Sequence, residues 1–107
     1  MDKSQIKRLD AIFAAKYTGP GLCEWCGKFG VLEPHHINYR RYLNTRWDKT
    51  NIMMLDRECH RKAHDKVIKF QEFALNKLGR KHFFELQQKA FNKFHRELNF
   101  DELVIKL

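Results

Sequence analysis

Three cysteines constrain this chain more than any other feature of its sequence. Cys23 and Cys26 form a CEWC pair with two residues between the thiols, and Cys59 follows farther along. Three thiols cannot close a complete set of disulfides, and a two-residue gap lets both sulfurs reach one tetrahedral ion. The pattern favours a structural zinc ion over a redox pair or two buried thiols. Nothing at the N-terminus has the apolar core of a signal peptide, so we expect a cytoplasmic protein, and in a reducing compartment grouped thiols more often hold metal.

The length and charge of the chain indicate how many domains it forms and what it binds. Its 107 residues are enough for one domain with one core. A net charge of +8 together with 13% aromatic residues describes a folded, strongly cationic protein, for which nucleic acid is the leading partner. No apolar run approaches the ~20 residues of a membrane span, so we expect no membrane partner.

The hydrophobic pattern divides the chain into three segments. Residues 1–17 carry apolar side chains at helical spacing and end before a TGPG turn at residues 18–21. Residues 22–65 contain the cysteines, two short strand-like runs and the start of a helical pattern. Residues 66–107 are helical again. We predict a single α+β domain with an N-terminal helix, a zinc knuckle with a hairpin and a helix, and a C-terminal helical extension.

The C-terminal extension is predicted to serve packing. Apolar residues recur at helical spacing on both sides of Gly79, which is a suitable helix C-cap. The isolated His82 and His95 are expected to be structural or surface residues. The extension is also where we expect a second copy or another protein to dock. The aromatic residues expected to pack after the glycine are Phe83, Phe84, Phe91 and Phe94.

Four histidines form a second group of candidate ligands. His35 and His36 are adjacent at the end of the first strand-like run. His60 and His64 are four residues apart and therefore share one face of the predicted helix. Taken separately, an HxxxH pair is often solvated surface, and two neighbouring histidines can be ordinary turn residues. Their order along the chain, with a long polar loop and Asn51 between the pairs, favours a common site.

Three further residues bear on the site, and two of them leave alternatives open. Adjacent residues of an extended segment point to opposite sides, so a site shared by both neighbouring histidines requires a bent or bulged loop around Pro34. Asn51 either holds the polar loop or merely ends a turn. Asp56, three residues before Cys59, either binds zinc or caps the N-terminus of the helix.

The loop between the histidine pairs is cationic and aromatic. Tyr39, Tyr42 and Trp47 alternate with basic residues, which predicts a clamp on a nucleic-acid backbone with stacking surfaces. Alternatively, Trp47 and one tyrosine pack the loop onto the domain and only the arginines meet nucleic acid. The candidate phosphate-binding residues in the loop and the following helix are Arg40, Arg41, Arg46, Lys49, Arg57, Arg61 and Lys62.

In this order, CEWC, HHI, Asn51 and CHRKAH resemble the zinc-bearing branch of the HNH endonucleases, in the ββα-metal superfamily. The resemblance covers residues 23–64. HHINYRRYLNTRWDKTN, followed by CHRKAH and a tail with FxxFxxxxLG, is also similar to phage recombination nucleases of the NinG type, which extends it to about residue 90. Asp56 departs from the pattern, which usually has a cysteine there.

The resemblance implies a metal-dependent DNA endonuclease built on a ββα-metal core. His36 matches the general base, and Asn51 matches the residue that holds its loop. His35 matches a ligand of the catalytic cation, and His60 and His64 complete a three-imidazole site. The resemblance further implies weak sequence preference and a link to recombination, with branched or single-stranded DNA as candidate substrates.

Two metals are therefore expected. The structural zinc lies at Cys23, Cys26 and Cys59, with Asp56 as an uncertain fourth ligand. Three nitrogen donors favour Mn²⁺, Ni²⁺, Co²⁺ or Zn²⁺ at the catalytic site, with Mg²⁺ as an alternative. The rival hypothesis is a zinc-finger-like module, in which the three cysteines and His64 hold one zinc and the basic surface binds DNA or RNA without cutting it.

Overall fold

The computed structural model describes residues 1–92 and 98–107, where the chain forms six α-helices and three antiparallel strands. The helices are α1 Lys3–Tyr17, α2 Leu43–Arg46, α3 Arg57–Asp65, α4 Val67–Leu78, α5 Arg80–Phe91 and α6 Phe100–Lys106. The strands are β1 Gly19–Leu22, β2 Phe29–His36 and β3 Ile52–Leu55. The predicted α+β class is confirmed, while Phe94 and His95 lie outside the described residues. No described helix has the length and apolar character needed to cross a membrane.

Strand β2 pairs with a different neighbour along each half. Residues 29–32 pair with β1, and residues 33–36 pair with β3, both in antiparallel register. Because β1 pairs only with the first half, the other edge of residues 33–36 carries no strand in the described part of the chain. The second half of β2 is therefore open along one side.

The prediction of a turn at residues 18–21 is wrong, because β1 is an edge strand. Pro20 lacks an N–H, and an edge strand tolerates it since one side needs no strand partner. A Cβ added at Gly21 would lie 3.0 Å from Cδ1 of Leu32, so the glycine leaves room for the Leu32 side chain to lie over β1. The proline and the glycine that suggested a turn thus fit an edge strand equally well.

The sheet separates two hydrophobic clusters. Met53 and Leu55 of β3 pack in one cluster with Phe70 of α4. Ile52 packs against the other cluster, which contains Phe13 of α1. Alternate residues of a strand point to opposite faces, so α1 lies on one face of the sheet and the pair α3 and α4 lies on the other.

Local sequence signals set two helix boundaries. The side chain of Asp56 accepts a hydrogen bond from the amide of Cys59 at 2.7 Å and caps α3. Gly79 separates α4 from α5 with a φ of +83°, a left-handed value that glycine adopts without steric cost. The predicted C-cap at Gly79 is confirmed.

The C-terminal extension packs only in part as expected. Phe83, Leu86 and Ala90 of α5 are buried, at positions that follow the helical repeat. Phe84 and Phe91 lie beside this stripe and remain 44% and 49% exposed. The prediction that they serve packing holds only in part: the Phe84 ring lies against Phe83 and the Phe91 ring against Tyr42, but neither side chain reaches the buried core. The exposed position of His82 agrees with a surface role.

Phe70 tests how much the cluster under α4 stabilises the fold. Its side chain is 1% exposed, so we expect Phe70→Ala to lower the free energy of unfolding by about 3–5 kcal/mol through lost burial and a cavity. Ile68 on the same helix is 76% exposed, and Ile68→Ala should change it by less than about 0.5 kcal/mol. Urea unfolding of both variants measures the difference, and equal losses would contradict this account of the core.

Candidate metal centres and active site

The two adjacent histidines lie in regular strand register. His35 pairs with Met53 and His36 pairs with Ile52, one residue opposite one residue. The expected bent or bulged loop around Pro34 is therefore wrong. Because neighbouring side chains of a regular strand point to opposite faces, His35 lies against α3 and His36 lies against α1.

His35 converges with the two histidines of α3. Nitrogen atoms of His35, His60 and His64 lie within 4.8 Å of one another, and their ring centroids are 4.7 to 5.1 Å apart. His35 is buried and His64 is exposed, so the group opens toward solvent. Three imidazoles suit a divalent transition metal and leave coordination positions for other ligands. The donor set fits the expected catalytic cation.

Glu33 orients one member of this group and was missed by the sequence analysis. Its Oε1 lies 3.0 Å from Nδ1 of His60. A carboxylate there accepts the Nδ1–H and leaves Nε2 to face a cation, as is usual for metal-binding histidines. Side chains two residues apart in a strand share a face, so Glu33 lies on the same face as His35. This alternation along β2 was a signal that could have identified Glu33.

Burial keeps both strand histidines neutral. It lowers the pKa of His35 to about 3, with further contributions from the neighbouring His60 and His64. Burial also lowers the pKa of His36, and the charges of nearby arginines add to this. The carbonyl of Arg46 and the negative charge of Asp10 act in the opposite direction but do not reverse the shift. Both rings therefore offer a lone pair at neutral pH.

One hydrogen bond selects the tautomer of His36. Its Nε2 lies 2.8 Å from the carbonyl oxygen of Arg46. A carbonyl oxygen only accepts, so Nε2 carries the proton and Nδ1 keeps the lone pair of the neutral ring. Among residues 1–92 and 98–107, no group forms a hydrogen bond with Nδ1. His36 thus has the protonation state that a general base needs.

Asn51 holds both ends of the loop that follows β2. Its side chain is fully buried, and its Oδ1 accepts hydrogen bonds from the amide and the side chain of Asn38 at 2.9 and 3.1 Å. Its Nδ2 donates to the carbonyls of Asn38 and Thr45, both at 3.1 Å. Its own carbonyl accepts from Ile37 at 2.7 Å. This geometry agrees with a loop-holding residue rather than a simple turn end, although its part in catalysis stays a prediction.

The open edge of β2 lets side chains from both faces of the sheet border one cavity. The cavity has a volume of about 670 Å³ and reaches from α1 past β2 to α3 and α4. Because no described strand covers the edge of residues 33–36, rings on opposite faces reach the same space. The four histidines that line the cavity are His35, His36, His60 and His64.

The cysteines form a second group of ligands. Atoms of Cys23, Cys26, Asp56 and Cys59 lie within 4.8 Å of one another. While one oxygen of Asp56 caps α3, the other accepts a hydrogen bond from Sγ of Cys26 at 3.0 Å. The zinc and N-cap alternatives for Asp56 are thus compatible. His64 lies with the other imidazoles, so the ligand set of three cysteines and His64 is not formed.

The electrostatics of this group suit a cation. Burial raises the pKa of Cys59, and the adjoining thiols raise it further. The carboxylate of Asp56 raises the pKa of Cys26, while backbone hydrogen bonds outweigh burial and lower the pKa of Cys23. Zinc binds thiolates and stabilises their charged form. Three sulfurs and one carboxylate make a donor set that can hold zinc in tetrahedral geometry.

The predicted nucleic-acid contacts fall into two classes. Arg46 is 16% exposed and pairs with Asp10 at 2.6 Å, whereas Arg40 pairs with the same carboxylate but remains 57% exposed. Trp47 is buried, which agrees with packing of the loop onto the domain, while Tyr39 stays 53% exposed. Contact with nucleic acid stays a prediction for all of these cations. The other candidate cations are also exposed, and they are Arg41, Lys49, Arg57, Arg61 and Lys62.

Zinc content tests the cysteine group. We expect Cys23→Ser to lose one equivalent of zinc and to lower the thermal unfolding midpoint, because a structural zinc contributes directly to folding. His60→Ala removes an imidazole outside this group and should leave that zinc in place. Elemental analysis of the purified variants measures the metal. Full zinc content in Cys23→Ser would rule out the site.

Asp10 makes part of the stability depend on pH. Burial raises its carboxyl pKa, but hydrogen bonds from Arg46 and Trp47 and the nearby positive charges lower it more, so the net shift is downward. The ionised carboxylate therefore stabilises the fold fully above the unfolded pKa of about 3.9, and this contribution is lost as the pH falls through the lower folded pKa.

We accordingly expect Asp10→Asn to cost about 1–3 kcal/mol near neutral pH, because it removes charged hydrogen bonds. The difference from the wild type should shrink below about pH 4, where the Asp10 carboxyl of the unfolded wild type begins to bind a proton while that of the folded protein is still charged, and it should vanish below the lowered folded pKa. Urea unfolding of both proteins from neutral pH to below pH 4 measures this difference in the free energy of unfolding. A difference that does not vary with pH would contradict the assigned ion pairs.

The matched family model lies over the segment that carries both ligand groups. The model, described as HNH endonuclease, matches residues 23–66, less than half of the 107-residue chain. Comparisons with curated proteins and with solved structures give no significant match. The matched segment includes β2, β3 and α3, with His36 and Asn51. The match supports the HNH superfamily for this segment and, with it, nuclease activity in general.

Proposed function

We propose that this protein is a metal-dependent endonuclease that hydrolyses phosphodiester bonds of DNA. One observation carries the proposal: a neutral, oriented His36 and the group of His35, His60 and His64 border the same cavity. Phosphodiester hydrolysis needs an activated water and positive charge near the scissile phosphate. The cavity offers residues for both tasks.

His36 acts as the general base. Nδ1 accepts a proton from the water that attacks phosphorus, while Nε2–H remains bound to the carbonyl of Arg46. The positive charge that develops on the ring is stabilised by this carbonyl, which already lies 2.8 Å from Nε2. By the resemblance to HNH endonucleases, the P–O3′ bond breaks and the products are a 5′ phosphate and a 3′ hydroxyl, whose proton comes from solvent.

The imidazole group provides the binding site for the catalytic cation. A divalent cation held there supplies positive charge beside the scissile phosphate and the leaving oxygen. Glu33 fixes the ring of His60 through Nδ1, and α3 spaces His60 and His64 by one turn. Nitrogen donors favour Mn²⁺, Ni²⁺, Co²⁺ or Zn²⁺, and Mg²⁺ is the alternative if oxygen ligands from the substrate complete its shell.

Surface charge is proposed to hold the DNA backbone without reading its sequence. Arg41, Lys49 and the exposed cations of α3 contact phosphates, and Tyr39 provides a stacking face. Weak sequence preference, a phage setting and a link to recombination are proposed on the sequence resemblance to NinG-type nucleases. Docking of a protein partner on the C-terminal helices stays a prediction.

The second candidate function is a DNA- or RNA-binding module that does not cut. The exposed cations and the cysteine group favour it, because a zinc-stabilised basic domain binds nucleic acid without any general base. This hypothesis gives no role to the half-buried His36 or to the imidazole group. It predicts no cleavage with any metal.

The decisive experiment compares His36→Ala with the wild type on supercoiled plasmid across a series of divalent metals. We expect nicking to fall by about 100-fold or more, the usual contribution of a general base, while zinc content and DNA binding persist. His82→Ala serves as the matched control, because His82 is exposed on α5. Absence of wild-type cleavage under every metal, or full activity of His36→Ala, would overturn the proposal.

A further inference from the structure

The carboxylate of Asp10 joins helix α1 to the loop that follows His36. Its Oδ1 accepts hydrogen bonds from Nε of Arg46 at 2.9 Å and from Nε1 of Trp47 at 3.0 Å. Its Oδ2 accepts from Nη2 of Arg46 at 2.6 Å and from Nη2 of Arg40 at 2.8 Å. One carboxylate, outside the segment matched by the family model, thus binds three side chains of the loop.

Arg46 transmits this restraint to His36. Its third guanidinium nitrogen, Nη1, donates to the carbonyl of Arg40 at 3.0 Å, so the side chain is held at three points. The backbone carbonyl of Arg46 accepts the Nε2–H of His36 at 2.8 Å. Phe13, one turn after Asp10, lies against the His36 ring with centroids 5.9 Å apart. Helix α1 therefore meets this ring directly through Phe13 and indirectly through Asp10 and Arg46.

We propose that Asp10 is a positioning residue for His36 and acts through Arg46, an inference that rests on the proposed function. By fixing the Arg46 carbonyl, Asp10 holds the proton on Nε2 and leaves Nδ1 as the nitrogen that accepts a proton from water. Groups that orient a metal-binding histidine typically affect activity about 10- to 100-fold, and we expect a loss of the same order for a group that orients a general base. The N-terminal helix is thereby part of the catalytic apparatus.

Charge separates this role from a role in DNA binding. The side chain of Arg46 is 16% exposed and paired with Asp10, so it is poorly placed to contact a phosphate. The carboxylate also neutralises charge on Arg40 and repels the DNA backbone. Removing Asp10 should therefore strengthen attraction to DNA while it disturbs the base. A residue that served substrate binding would show the opposite pattern.

The experiment measures kcat and KM for plasmid nicking by Asp10→Asn, which keeps the shape of the side chain and removes its charge. We expect kcat to fall by about 10- to 100-fold, with KM unchanged or lower. Asp2→Ala is the control on the same helix, because Asp2 caps α1 and has no contact with the loop in the described residues. It should destabilise the helix and leave kcat within about twofold at a temperature where both variants are folded.

A double-mutant cycle tests the route through Arg46. If Asp10 acts on His36 by holding Arg46, then Asp10→Asn should add little to the loss caused by Arg46→Ala. If the two substitutions instead lowered kcat by independent factors that multiply in the double variant, Asp10 would not act through Arg46. A fall in kcat that Asp2→Ala reproduces at equal stability, or a KM that rises while kcat stays constant, would overturn the positioning role itself.

The ring of His36 gives a readout that does not depend on turnover. Nitrogen NMR of histidine-labelled protein should show His36 protonated at Nε2 in the wild type and a mixture of tautomers in Asp10→Asn. A wild type that cuts no DNA would refute the proposed function. The spectrum would still test whether Asp10 determines which ring nitrogen of His36 carries the proton. An unchanged His36 signal in folded Asp10→Asn would refute the positioning role alone.

Discussion

The alternation of side chains along β2 is the constraint on which the rest of the site depends. A regular strand sends His35 to one face of the sheet and His36 to the other, and no local bend relieves this. Each ring therefore needs its own helix, α3 for His35 and α1 for His36. The two faces still share one cavity, because β1 covers only the first half of β2 and leaves the second half open along its edge.

Two polar restraints hold this arrangement. The cysteine group joins the residues before β2 to the start of α3, where Asp56 both caps the helix and faces Cys26. The buried Asn51 holds the ends of the loop that follows β2 with four side-chain hydrogen bonds. A small domain has a limited core, so such fixed polar contacts keep functional side chains in place where apolar packing alone would leave them loose.

Residue spacing identified the parts of the site that lie within single elements. The two-residue gap of Cys23 and Cys26 and the four-residue gap of His60 and His64 are local geometry, and both groups converge as their spacing indicates. Residue spacing did not predict the contacts between different helices and strands. Pro20 and Gly21 suit a turn and an edge strand equally, so β1 was missed. Glu33 was overlooked although strand alternation placed it beside His35, and nothing in the pattern of α1 marked Asp10 as a partner of the loop.

The sequence by itself determined the α+β class, the grouping of ligand types and the polar loop between the histidine pairs, because spacing and composition act over a few residues. Only the tertiary structure decided that the neighbouring imidazoles face different helices, that Asp56 joins the cysteines in place of His64, and that Arg46 pairs with a carboxylate on α1. These outcomes depend on which strands pair, on where strand β1 ends, and on which charged side chains from different elements form ion pairs. Asp10 and Arg46, for example, are 36 positions apart, a separation at which local propensity carries no information.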